Sequence, residues 1–590
     1  MIQRLLALFA VSIGLAQATA QTTTRVSLDS SGAQASNDSY HCMISADGRY
    51  VVFESWAADL VANDTNGWND VFVRDRVTGQ TLCVSVDAAG VPGDNGSGSP
   101  SISADGRFVA FESSATNLVA GDTNGTDDVF VRDLVAGTTV RASVDSAGVQ
   151  GNQFSREATI SGNGSRVAFS SFASNLVPGD TNSQIDVFVH DFTSGQTLRA
   201  DVNNAGAQSV GGARFPVLSA NGEFVAFVSG APDLVAGDSN QVVDGFVRDL
   251  VNNTTLRISV NSAGVQANQA TDWTLAISDD GEFVAFASAA TNLTASDTNG
   301  NLDMFVHDPL TGQTSCVSLD AAGVPVGGYS SRPALGGNGR FVAFESFASN
   351  LVAGDTNNTY DVFVRDTLLG RTTRLSVDSL GAQANGASDF MISVSGDGRY
   401  VAFDSRASNL VGGDTNGFYD VFVRDLGTLA TTAFCVGDGT QATACPCANS
   451  GASGRGCQNS AGTGGGLLSL SGFTESDSVL LQAEFVLPSS LVVFLQGNAV
   501  QNPALAFGDG VRCVGGALKR LYSKNALGGS ALAPALGDLP LGARSALLGD
   551  PLAPGTSRWY QAYYRDPSAN YCTAPAGNVW NVTSGVQVDW

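Results

Sequence analysis

At 590 residues the chain exceeds what a single hydrophobic core organises, so at least two domains are expected. Its 69 glycines, 43% hydrophobic residues and only 14% charged residues point to an all-β protein of short strands and many turns. The net charge of −25 belongs almost wholly to residues 1–433, since from Phe434 onward nine acids face eight bases. An acidic body whose only lysines, Lys519 and Lys524, lie in the tail argues against nucleic acid and anionic membrane as partners and suits cations.

The first twenty residues read as an export signal. Arg4 gives the positive start, Leu5 to Leu15 the apolar stretch, and Ala18-Thr19-Ala20 the small-residue cleavage site before Gln21. The apolar stretch is too short for a bilayer, and no later segment approaches the roughly 20 apolar residues a spanning helix needs. No membrane insertion is expected. The mature chain is expected in an oxidising place, secreted or in the periplasm or on the cell surface.

A repeat occupies residues 21–430. Its turn glycine falls at Gly48, Gly106, Gly164, Gly222, Gly281, Gly339 and Gly398, 58 or 59 residues apart. Each unit reads as four strands. Strand a ends at an Asp-Gly or Asn-Gly hairpin turn, and strand b follows, as in Phe108-Val109-Ala110-Phe111-Glu112-Ser113. A long loop leads to strand c, Asp128 to Asp133, and a second turn to strand d, Thr139 to Val144. Strands b and c are apolar on both faces, as sheets sandwiched between neighbours must be. Four-stranded units at a fixed period predict a seven-bladed β-propeller. Only six d strands lie between the seven a-b-c sets, and Thr24-Arg25-Val26-Ser27-Leu28-Asp29 matches Thr373 to Asp378. The N-terminal strand is therefore expected to close the ring as strand d of the last blade. On the segment Ser103-Ala104-Asp105-Gly106-Arg107-Phe108-Val109-Ala110-Phe111-Glu112-Ser113, the repeat resembles the TolB-like, WD-repeat-like blades of exported bacterial propellers. The resemblance implies a fold rather than one activity, because such blades serve scaffolds, binding modules and the non-catalytic halves of peptidases.

The b–c loop carries the candidate metal ligands. It repeats Asp, Asn and Asp at positions 1, 3 and 7: Asp64, Asn66, Asp70; Asp122, Asn124, Asp128; Asp180, Asn182, Asp186; and Asp238, Asn240, Asp244. The last three copies are Asp297, Asn299, Asp303; Asp355, Asn357, Asp361; and Asp414, Asn416, Asp420. Alternating oxygens in a tight loop can cage a hard cation such as Ca²⁺. The pattern is similar to the Ca²⁺ hairpin loops of integrin-type propellers, but two residues shorter and without the central Asp. The other reading is an Asx-turn that fixes the loop by itself.

A second pattern pairs the residue after the b-strand Phe (Glu54, Glu112, Ser170, Val228, Ala287, Glu345, Asp404) with a c-strand residue (Arg74, Arg132, His190, Arg248, His307, Arg365, Arg424). Every acid matches an Arg, which predicts cross-strand ion pairs in four blades. It gives His190 and His307 structural places, and His41 is expected to pack in its strand. No triad, nucleophile elbow or His-Glu-x-x-His zinc motif appears, so no catalytic residue is assigned.

Residues 431–590 predict a separate Cys-rich β domain. Cys435, Cys445, Cys447, Cys457, Cys513 and Cys572 read as three disulfides in any of 15 connectivities, with Cys445 and Cys447 not joined to each other. Short apolar runs such as Leu491 to Leu495, Trp559 to Tyr564 and Val586 to Trp590 predict a β-sandwich. With Phe507 to Cys513 and Tyr564 to Pro567, the domain resembles a Cys-rich C-terminal module of secreted bacterial proteins, which implies sorting, surface attachment or ligand binding. The whole reads as an exported, non-catalytic binding or scaffold propeller for a protein or glycan partner. The competing reading is a secreted polysaccharide hydrolase or lyase using carboxylates near the central channel.

Overall fold

The computed structural model describes residues 21–590 except 321, 428–429, 436–444, 446–449, 454, 473–476, 508–509, 554–555 and 567–579. The chain divides into two compact units, Thr22–Asp425 and a second that takes Leu426–Trp590.

The first unit is a ring of seven four-stranded antiparallel sheets. Blade 1 consists of Ser39–Ile44 (a), Tyr50–Ser55 (b), Asp70–Asp75 (c) and Gln80–Cys83 (d), and the other blades repeat it. Runs such as Val71-Phe72-Val73 favour strand because β-branched and aromatic side chains fit a pleated surface. Here both faces of that surface are buried. Val52, Val71, Val73 and Val84 of blade 1 share one apolar cluster with Val109, Phe111, Leu118 and Phe130 of blade 2. Within each blade the b and c phenylalanines stack, as Phe53 does on Phe72 at 6.0 Å. The a strands of neighbouring blades face one another around the axis.

The a–b turn also locks blade to blade. Gly106 has φ +73°, and the ring of Tyr50 from the preceding blade lies where its Cβ would be. Tyr400 stands in the same relation to Gly48, and Phe108 to Gly164. Only glycine meets both demands there, a left-handed backbone and a ring against the Cα.

Closure is as expected. Thr22–Arg25 pairs antiparallel with Asp420–Asp425, in register from Thr22 opposite Asp425 to Arg25 opposite Phe422. The outer strands are shorter than expected: that of blade 2 is Thr138–Arg141, after which only an isolated bridge, Val144 to Gln150, continues.

The expected b–c ion pairs do not form. Phe53 is opposite Phe72, so Glu54 lies opposite Val71 while Arg74 lies opposite Val51, nearer the other end of the hairpin. Antiparallel strands run in opposite senses, so two residues that each follow the phenylalanine pair move apart. Arg74 instead donates to the carbonyls of Leu28 and Asp29 and to the Thr81 hydroxyl, stitching blade 1 to the preceding outer strand. His190 and His307 sit at the same position, buried, each 2.9 Å from a Thr hydroxyl.

The second unit is a β-sandwich-like fold. A five-stranded sheet runs Ala430–Phe434, Trp580–Asp589, Ser557–Arg565, Leu491–Gly497, Lys519–Asn525, and a three-stranded sheet runs Leu467–Ser471, Leu480–Glu484, Ala531–Ala533. Leu481, Phe494, Tyr560, Tyr564 and Val588 fill its core. One short helix, Leu541–Leu547, was not expected from the sequence. Two disulfides close, Cys435–Cys513 and Cys445–Cys457, while Cys447 and Cys572 lie outside the described residues. Among the described residues no helix is long and apolar enough to cross a membrane.

Two substitutions separate the demands on the turn glycines. Gly106→Ala is expected to cost several kcal/mol, because strain and overlap with Tyr50 add. Gly90→Ala, at φ +80° but with open space at its Cβ, is expected to cost about 1–2 kcal/mol. Denaturant midpoints of the two variants measure the difference; equal losses would deny the ring contact its role.

Candidate functional site

In every sheet the d–a connection and the b–c loop leave at the same edge, so both belong to one face of the ring. That face holds all 21 candidate ligands.

In each b–c loop the Asn makes an Asx-turn. The Oδ1 of Asn66 accepts the N–H of Trp68, and those of Asn124, Asn182, Asn240, Asn299, Asn357 and Asn416 accept the equivalent N–H two residues on. The amide nitrogen donates to a backbone carbonyl of the following d–a connection, as from Asn66 to Gly93 at 2.9 Å and from Asn416 to Ala35 at 2.8 Å. In five blades it also donates to the c-strand Asp, at 2.7 Å from Asn66 to Asp70 and 3.0 Å from Asn357 to Asp361. The Asn therefore faces that carboxylate as a donor.

In five blades the two Asp of the loop converge on one arginine. Asp70, Asp128, Asp186, Asp244, Asp303, Asp361 and Asp420, the first residues of the c strands, have no solvent exposure. In six blades a serine just past the d strand donates to this Asp, as Ser143 does to Asp128 at 2.7 Å. Blade 3 places Asp201 there, and burial pushes its carboxyl well above the usual range.

Between the carboxylates of five blades lies an arginine that the sequence reading did not connect to the loop. Arg25 reaches Asp414 and Asp420, Arg141 reaches Asp122 and Asp128, and Arg199 reaches Asp180 and Asp186. Arg257 reaches Asp238 and Asp244, and Arg374 reaches Asp355 and Asp361, all ten contacts lying at 2.8–3.7 Å. A glutamine nine residues after each arginine adds an amide: Gln150 donates to Asp122 at 2.9 Å and to Asp128 at 2.7 Å. Gln34, Gln208, Gln266 and Gln383 occupy the same place. In blades 1 and 5 the arginine position holds Cys83 or Cys316 and the glutamine position Pro92 or Pro325. There burial pushes Asp70 and Asp303 up to about 6, against the Ser and Asn donors, and pushes both thiols up to about 12.

Nearer the axis, on the same face, the a strands are bulged. The a–b register shifts in blades 1 to 6, and a residue with positive φ stands at His41, Ser99, Glu157, Phe215, Arg332 and, in blade 7, Phe390. Blade 5 places Trp273 in its shifted stretch. Bulges of this kind re-aim side chains. The b-strand acids hold them: Asp404 accepts the N–H of His41 at 2.9 Å, Glu54 that of Ser99 at 2.8 Å, and Glu112 that of Glu157 at 2.8 Å. Glu157 accepts that of Phe215 at 3.0 Å, replacing the acid that blade 3 lacks at Ser170. Three of the four acids read as partners of arginines, Glu54, Glu112 and Asp404, thus clamp the next blade's bulge, while Glu345 accepts from Ser331 at 2.7 Å and Arg332 at 3.1 Å in its own blade. His41 is partly packed: its ring meets Tyr40 and Phe390 edge-on at 5.0 and 6.3 Å, while the bulge leaves its side chain 34% exposed, with Nδ1 3.3 Å from Glu54. Burial opposes the imidazolium, but Glu54 outweighs it and the His41 pKa is raised. Burial pushes the Asp404 carboxyl up to about 7.

Aromatic rings crowd this face. Trp56, Trp68, Phe172, Trp273, Tyr329, Phe347 and Phe418 are each at least 36% exposed. Rings on this face meet in pairs: Phe154 stacks on Phe172 and Tyr40 on Phe390, each at 5.9 Å, and Phe215 meets Trp273 at a tilt at 6.0 Å.

No protein-family model and no curated protein matches the chain. Among solved structures it is similar to TolB from Acinetobacter baumannii, at 15% identity over 47% of this chain and 53% of that one, with a TM-score of 0.29. It is similar to oligogalacturonate lyase from Vibrio parahaemolyticus at 13% identity over 70% and 98%, TM-score 0.41. It is similar also to dipeptidyl peptidase 4 from Porphyromonas gingivalis at 14% identity over 62% and 49%, TM-score 0.35. The chain thus spans about half the length of the TolB and peptidase chains. At these scores the likenesses carry nothing about activity, and the propeller rests on its own strand pairings.

Asp404 gives a pH signature. A carboxyl raised in the folded state contributes stability that is full below its unfolded pKa near 4 and is lost as pH rises through about 7. Asp404→Asn keeps an oxygen for the His41 N–H and removes the titration. Relative to wild type, the variant is expected to gain on the order of 1–3 kcal/mol in urea unfolding between pH 4.5 and 8; parallel pH profiles would contradict this.

Proposed function

We propose that the chain is an exported, non-catalytic binding propeller that presents its bulged, aromatic face to a glycan or protein partner. The observation that carries the reading is the concentration of exposed rings on one face, around a ring of re-aimed side chains of mixed chemistry. Exposed aromatic rings lie against the apolar faces of sugars, and the pairs Arg156 with Asp127, Arg214 with Glu157 and Arg332 with Glu345 provide polar groups beside them. Buried carboxylates at the mouth are engaged by backbone N–H donors, which suits support more than proton transfer. The two disulfides accord with export into an oxidising compartment, and the C-terminal domain would serve surface attachment.

The competing reading, a secreted polysaccharide hydrolase or lyase, is favoured by one pair, His41 beside Glu54, a base and an acid 3.3 Å apart at the channel mouth. A panel of neutral and acidic polysaccharides separates the two. Saturable binding with no new reducing ends or unsaturated products is expected, and Trp273→Ala should weaken it about tenfold, roughly 1.4 kcal/mol, at unchanged melting temperature. Turnover that Glu54→Gln abolishes would establish the enzyme instead.

A further inference from the structure

Beyond that reading, we propose that the b–c loops of blades 1 and 5 each hold one divalent cation of the zinc class, in the space an arginine guanidinium fills in the other five blades. Seven copies of one loop provide an internal comparison. Five set a guanidinium and a glutamine amide against the buried carboxylate pair. The remaining two lose both donors together, to Cys83 with Pro92 and to Cys316 with Pro325, while both carboxylates stay. Neither proline nor a thiol brings positive charge.

The consequence appears at individual atoms. Asp64 is 6% exposed and its Oδ1 has no hydrogen-bond partner; Asp297 is 2% exposed and its Oδ2 has none. In blade 2 the equivalent oxygens of Asp122 meet Arg141 at 3.1 Å and Gln150 at 2.9 Å. A buried carboxylate pair stripped of its cation is costly, and a bound metal ion restores the balance.

The donors define the class of ion. Asn66 and Asn299 turn N–H groups toward Asp70 and Asp303, so they are not ligands. That leaves two carboxylates and a thiol, with water to complete the shell. Ca²⁺ wants six to eight oxygens, whereas Zn²⁺ accepts carboxylate and thiolate in a four-coordinate set. Each thiol stands ready in the same way. Cys83 Sγ is 3.5 Å from Ser85 Oγ, which is itself 2.6 Å from Asp70 Oδ1; Cys316 repeats both distances through Ser318 to Asp303. Among the described residues no three such side chains already converge on one point, so binding requires the Cys83 and Cys316 side chains to turn toward the carboxylates, the thiol proton being released as the metal binds.

The full-length protein, stripped of metal and dialysed against Zn²⁺ or Ca²⁺, is assayed for bound metal by elemental analysis. Two equivalents of Zn²⁺ are expected. Cys83→Arg with Pro92→Gln should leave one, and adding Cys316→Arg with Pro325→Gln should leave none, because those changes rebuild the loops of the other blades. Zn²⁺ should raise the melting temperature of wild type and not of the fourfold variant. Should that variant not fold, Asp64→Asn with Asp297→Asn gives the same readout. Uptake below one equivalent, uptake unchanged in the variants, or uptake of Ca²⁺ without Zn²⁺ would overturn the proposal.

Discussion

Each blade buries both faces of its middle strands, and a sheet of that kind is stable only between two others. A linear stack would leave an apolar face at each end, so the packing demands a ring. The apolar clusters accordingly belong to blade pairs rather than to blades: Val71 and Val73 sit with Phe111 and Leu118, and Val187 and Val189 with Phe227 and Leu234. Polar contacts follow the same seams. The Arg74 guanidinium reaches back to the preceding outer strand, and the Glu54 carboxylate reaches forward to the bulge of blade 2.

The ring frees its mouth from the duty of folding. At the bulge the backbone is repeated while the side chain is not: His41, Ser99, Glu157, Phe215, Arg332 and Phe390 share one left-handed geometry. The holding forces come from main-chain N–H groups and the acids beneath them, so the outward side chain varies without disturbing the frame. A surface of this construction can change its ligand without changing its fold.

The architecture was legible because its signals are local and recur seven times. Asp-Gly turns, Val-Phe-Val strands and the displaced Thr24 to Asp29 copy fixed the blade count and the closure. The bulge was not legible, since residues as unlike as His41 and Phe215 adopt it and no residue type encodes it. The acid–arginine correlation was real as letters but misread as contact: Glu54 and Arg74 each recur for separate reasons at opposite ends of a hairpin. The exchange of Arg and Gln for Cys and Pro, nine residues apart, stood in plain view at Cys83 and Pro92. Its meaning needed the strand order that brings both positions against the carboxylates of their own blade. In the second unit, strands distant in sequence pair, as Ala430–Phe434 does with Trp580–Asp589, and no local pattern announces that.

The displaced outer strand also sets an order of events. Thr22 and Asp425 are partners across some 400 residues of chain, so the earliest-made segment of the propeller is the last to find its place. Until the seventh blade is complete, Asp420 to Asp425 is a sheet edge open to any extended strand nearby, and the ring has a seam through which a neighbour's leading segment could be exchanged for its own. A molecule latched in this way is vulnerable chiefly before it is finished and at that one seam.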